Sequence, residues 1–143
     1  MLRRISVLAA AAVAFGVLPV AATAQSNDRF AGTWRAAMTI NGMQCTLTVA
    51  MTTTATYVEN DRCGPYATGQ SGTYRTFPNG LLVRTVTDWT PRQRYIVDAG
   101  GGGHYETNAK PPGGTYRVTF TSNTTMVWRD ANMGGVATFH RVL

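Results

Sequence analysis

Catalysis needs a positioned base or nucleophile, and this 143-residue chain offers few. Its histidines are His104 and His140, and beyond residue 24 its serines are Ser26, Ser71 and Ser122. None of the serines sits in a Gly-x-Ser-x-Gly or comparable nucleophile setting. Asp98, His104 and Glu106 form the most chemical-looking group, clustered around the run Gly100 to Gly103. One imidazole with two carboxylates suits a metal ion or acid–base work. The competing reading is a solvated loop whose charges keep it in water, and we adopt that reading. The glycine run lacks a following Gly-Lys-Ser/Thr, so it does not point to phosphate binding. The expectation is a non-enzymatic protein with no cofactor and no metal.

Binding is better represented than catalysis. Asp88-Trp89-Thr90-Pro91-Arg92 and Trp128-Arg129-Asp130 set tryptophan beside charge where strands are expected to end. As ligand contacts, Trp89 and Trp128 would grip an apolar body while Arg92 and Arg129 pair with an anion. The alternative makes the tryptophans core or end plugs and the arginines members of surface ion pairs. Both readings stay open. Basic residues outnumber acidic ones by 13 to 7 but occur singly after Arg3-Arg4, so a nucleic-acid footprint is not indicated.

The elements that would position these residues begin after a leader. Arg3 and Arg4 precede an apolar run from Ile5 to Val20, and Ala22-Thr23-Ala24 matches a cleavage site. That run is roughly 16 residues, short of the ~20 a bilayer needs. Residues 1–24 are therefore expected to be a signal peptide and 25–143 a single domain, periplasmic or secreted, without a membrane anchor. Cys45 and Cys63 agree with export, since an even pair in an oxidising compartment is most simply one disulfide. It closes a loop of about 18 residues, for which chain entropy gives roughly 3 kcal/mol.

Past the leader, apolar residues recur at every second position. Trp34, Ala36, Met38 and Ile40 share a face, Asn41-Gly42 makes a hairpin turn, and Cys45, Leu47, Val49 and Met51 resume the alternation. Further strands are expected through Tyr57-Val58, Thr73 to Phe77, Leu81 to Trp89, Arg94 to Val97, Thr115 to Thr121, Thr125 to Arg129 and Val136 to Val142. Asn60 to Pro65 reads as a turn and Gly100 to Gly114 as the longest irregular stretch. Eight or nine short strands in sequential hairpins predict an all-β, up-and-down antiparallel barrel, because closure removes exposed edges. A β-sandwich is the alternative.

Phe30-Ala31-Gly32-Thr33-Trp34 resembles the start of the first strand in the calycin superfamily of lipocalins and fatty-acid-binding proteins. The resemblance implies that Trp34 packs at the closed end of a barrel, with Arg141 of the last strand lying across it. The chain departs from the intracellular fatty-acid-binding proteins, which place two helices where Asn41-Gly42 turns here, and it lacks their Arg-x-Tyr pair. A second resemblance is to the periplasmic inhibitors of bacterial metalloproteases, small barrels with a Gly-x-Trp start and one disulfide. Gly32-Thr33-Trp34, Cys45, Cys63, Val127-Trp128-Arg129-Asp130, Gly134-Gly135 and Phe139 carry it. It implies that Gln25 to Arg29 would enter a protease cleft.

Two partners are thus in view: a small apolar or amphipathic ligand inside a lipocalin-like barrel, or an exported protein. The leader and cysteine arguments meet in one measurement. The intact mass of exported protein should correspond to a chain starting at Gln25 with no free thiol. Two free thiols in oxidised material would overturn both the bridge and the compartment.

Overall fold

A strand with one apolar face has to bury it, and strands joined by tight turns do so most simply by curling until the last meets the first. That is the outcome here. The structure, a computed structural model, describes residues 27–143. The expected leader and its cleavage point lie outside the described residues. After a 3-10 turn, Asn27–Arg29, come β1 (Gly32–Ile40), β2 (Met43–Met51), β3 (Thr56–Cys63), β4 (Tyr66–Thr76) and β5 (Leu81–Thr90). Then follow β6 (Gln93–Val97), β7 (Gly103–Thr107), β8 (Thr115–Phe120), β9 (Thr125–Asp130) and β10 (Val136–Val142). Eight of them close into an antiparallel up-and-down barrel in the order β1-β10-β9-β8-β5-β4-β3-β2, while β6 and β7 pair only with each other. The barrel, not the sandwich, is the fold.

The register follows the sequence pattern closely at the start. Ile40 pairs with Met43 across Asn41-Gly42, and both turn residues have positive φ, 49° and 80°. This is the geometry a two-residue hairpin requires, and Asn-Gly tolerates it best. Cys45 lies directly opposite Cys63 in the β2–β3 ladder, with Cα atoms 4.1 Å apart, and the two form a disulfide. Two expectations need correction. Asn60 to Pro65 is not a loop: β3 runs to Cys63 and turns only at Gly64-Pro65, the polar residues being held in the ladders to β2 and β4. The stretch from Gly100 to Gly114 is not wholly irregular either, since β7 lies within it and pairs with β6 as a hairpin outside the barrel.

The core gathers at the end where β1 begins. Trp34, Val49, Tyr57, Tyr74, Leu82, Met126 and Phe139 are almost fully buried. Phe30 enters from the N-terminal side and meets the edge of Phe120 at 5.0 Å, while Trp34 meets Phe120 at 6.0 Å. Trp34 Nε1 donates to the Phe30 carbonyl at 2.8 Å. Arg141 pairs with Trp34 in the β1–β10 ladder, and its guanidinium lies 4.3 Å over the indole ring. Its nitrogens donate to the carbonyls of Ala31 at 2.7 Å and Arg29 at 3.1 Å. Gly32 must be glycine here: its φ is +132°, and a Cβ would come within 2.5 Å of Arg141 Nη1. The expected lock between the first and last strands is therefore present.

Replacing Arg141 by leucine removes the stacked cation and leaves the carbonyls of Ala31, Arg29 and Asn123 without their charged donor. The expected loss is about 2–3 kcal/mol, read as a lower melting temperature. An unchanged melting temperature would show that the barrel closes without the lock.

Candidate functional site

At the opposite end the barrel is not filled by its own side chains. A cavity of about 460 Å³ opens there, between Met38 and Ile40 at the end of β1 and Met133 to Val136 in the turn before β10. Leu47, Ala137 and Phe139 extend its apolar wall, and Glu59, Gln70, Arg84, Tyr116 and Trp128 line its deeper part. These polar groups follow from strand parity. Glu59 lies two residues from buried Tyr57 on β3, and Arg84 lies between buried Leu82 and Val86 on β5, so each takes an inward position. Glu59 faces Gln70 and Arg84 faces Tyr74 across β4. Gly72, between Gln70 and Tyr74 on β4, packs against the backbone of β5, where a Cβ would come within 1.9 Å of the Thr85 carbonyl oxygen.

Glu59 and Arg84 form an ion pair with each side chain only 6% exposed, Nη1 donating to Oε2. Gln70 Nε2 donates to the other Glu59 oxygen at 2.5 Å, and Arg84 Nη2 donates to the Tyr116 hydroxyl at 2.9 Å. Three rings surround the guanidinium: Tyr57 at 4.8 Å, Tyr116 at 4.9 Å and Trp128 at 5.3 Å. Burial works against the charge of Arg84, but the Glu59 carboxylate holds its pKa above the ordinary value. Main-chain geometry braces the same spot. Arg84 N donates to the Gly114 carbonyl at 2.8 Å, and a Cβ on Gly113 would fall 2.1 Å from the Arg84 carbonyl oxygen. Among the described residues, three buried polar atoms lack a hydrogen-bond partner: Tyr57 Oη, Asp61 Oδ1 and Arg84 Nε.

Asp61 stands two residues beyond Glu59 on β3. Burial, then the Glu59 charge, push its carboxyl up from 3.8 to about 7; Arg84 opposes this, and a hydrogen bond with Glu59 favours the acid form. Beside the main cavity a second hollow of about 290 Å³ lies between Asp61, Gln70, Trp89 and Asn108.

The four residues singled out as ligand contacts separate. Trp128 is buried and lines the cavity. Arg129, its neighbour on β9, is exposed on the outer face, as alternation demands. Trp89 pairs with Gln70, on the inward side, because the β4–β5 register shifts at Ser71/Gly72 and the odd residue, Thr87, reverses the parity of β5. Its indole already donates to the Asn108 carbonyl at 3.1 Å, and the Arg92 guanidinium covers its ring at 3.6 Å. Arg92 in turn pairs with Asp88, so Trp89 and Arg92 hold the root of the β6–β7 hairpin. Asp130 accepts from the backbone of Asn132 and Met133, both at 2.8 Å, and fixes the turn at the cavity mouth.

Asp98, His104 and Glu106 do come together on that hairpin: His104 Nδ1 lies 3.1 Å from Asp98 and Nε2 3.3 Å from Glu106. Glu106 also pairs with Arg94 at 3.0 Å. Among the described residues no group of three or more such side chains is arranged to hold a metal ion. His140 lies elsewhere, on β10, beside the Thr125 hydroxyl at 3.3 Å. No helix of the described residues is long and apolar enough to cross a membrane.

Glu59, Gln70, Arg84 and Asp61 were missed from the sequence. The signal that finds them is a charged or amide residue at the inward parity of an apolar strand, as in Leu82-Val83-Arg84-Thr85-Val86. No model of a known protein family matches this chain, and no curated protein matches it. The cavity and its polar floor are thus read from geometry alone.

Asp61 makes stability depend on pH in a defined direction. The fold holds its proton while the unfolded chain releases it, so stability falls as pH rises from the usual carboxylate range to about 7 and is level above. Asp61→Asn cannot ionise, and its melting temperature between about pH 5 and 8 should decline less than the wild type's. Parallel profiles for the two proteins would show that Asp61 ionises freely in the fold.

Proposed function

We propose that this is an exported, non-enzymatic binding protein of lipocalin-like type, periplasmic or secreted, that takes a small apolar or amphipathic ligand into its barrel. The observation that carries the reading is the cavity of about 460 Å³, apolar at its walls and polar at its floor, open at the end opposite the Trp34–Arg141 lock. Its size falls within the usual range for small-molecule sites, and so does its chemistry: an apolar lining with a few convergent polar groups. The Gly32-Thr33-Trp34 start and the arginine across it support the calycin likeness. The Cys45–Cys63 bridge and the leader-like N-terminus support export.

Protein binding in the manner of the protease inhibitors has less support. It requires Gln25 to Arg29 to project from the barrel. Of that segment, Asn27–Arg29 forms the 3-10 turn at the closed end, where Arg141 holds the Arg29 carbonyl and Thr76 donates to Asn27 at 3.1 Å.

Titration with the fluorescent reporter N-phenyl-1-naphthylamine tests the reading, because Trp128 in the cavity wall is positioned to transfer its excitation to a bound dye. Saturable binding with quenched tryptophan emission is expected. Ala137→Phe, which adds a ring beside Trp128 in the cavity wall, should weaken binding by about tenfold or more. Binding that is absent, or untouched in a folded Ala137→Phe variant, would remove the barrel interior as the site.

A further inference from the structure

We propose that the barrel selects neutral amphiphiles, with an uncharged polar head at the inner end, over fatty carboxylates and amines. The inference rests on the ligand-binding reading above and deepens it. Its basis is a cavity floor whose buried charges, Glu59 and Arg84, already balance one another.

Arg84 lines the cavity with its side chain only 6% exposed, and its Nη1 and Nη2 are engaged by Glu59 and Tyr116. An ammonium head group would bring a second cation against the guanidinium. The Glu59 charge is already matched by Arg84, so it offers an ammonium no uncompensated counter-charge.

A carboxylate head accepts hydrogen bonds but fails on charge. Glu59 already neutralises Arg84, so a second carboxylate in the floor has no cation of its own. A buried charge without a partner is strongly disfavoured. Asp61, next along β3 and beside Glu59, adds to the repulsion as it ionises. A neutral amphiphile adds no charge to this floor. Its apolar body then lies along Met38, Ile40, Leu47, Val136 and Ala137 toward the mouth.

The test uses the disulfide-bonded protein from Gln25 onward and three probes with one tail: 1-dodecanol, dodecanoate and dodecylamine. Each displaces N-phenyl-1-naphthylamine at about pH 8, where the acid and the amine are ionised. Dodecanol is expected to bind about tenfold or more tightly than either ion. Equal or tighter binding of an ion overturns the head-group inference and leaves the ligand reading standing. Reporter that none of the three displaces, or that never binds, removes both. Glu59→Gln leaves the Arg84 charge unmatched and should raise dodecanoate affinity by about tenfold. A folded variant that still rejects dodecanoate shows that Glu59 does not set the preference. The wild-type series decides the question whether or not the variant folds.

Discussion

Arg84 carries its charge inside a small barrel, and the arrangement around it follows from that. A guanidinium taken out of water is costly unless it is paired and hydrogen-bonded. Glu59 supplies the charge, Gln70 and Tyr116 fix its geometry, and the faces of Tyr57, Tyr116 and Trp128 surround it. The pair demands room as well as partners. Gly113 lets the chain pass against the Arg84 backbone. Removing one partner alone would cost about 3–5 kcal/mol, since the other stays buried with its charge.

The pair also divides the barrel. Below it, Trp34, Val49, Tyr74, Leu82 and Met126 pack as an ordinary apolar core, capped by Phe30 and Phe120. Above it, apolar side chains line walls instead of meeting in the middle. Met133 at the rim is 87% exposed, whereas Met126 at the closed end is fully buried. The two ends of the barrel therefore carry different tasks. One secures closure through Arg141, and the other holds the hollow.

Much of the architecture was legible because period-two alternation, the Asn41-Gly42 turn and the cysteine pair are local signals. The Trp34–Arg141 contact was legible for a topological reason: in a closed even-stranded meander the first and last strands are neighbours. The site was harder to see. Glu59 and Arg84 are ordinary surface residues by type, and only their parity within apolar strands sets them inside. Trp89 defeats simple parity, because the irregularity at Thr87 turns it inward, where it holds the hairpin root. Trp128 and Arg129 were grouped as adjacent residues, yet adjacency on a strand sends side chains to opposite faces. Asn60 to Cys63 read as a turn from composition, while the ladders on both sides keep it extended.

The hairpin of β6 and β7 leaves β5 and returns to β8 without joining the barrel wall. The ladder between β5 and β8 has three pairs, Leu81 with Arg117 through Val83 with Thr115, and it is complete without the hairpin. Closure therefore does not depend on the length or composition of that excursion beyond its root at Trp89, Arg92 and Asn108. This arm could be lengthened, shortened or rewritten without breaking a single pair of the barrel ladder.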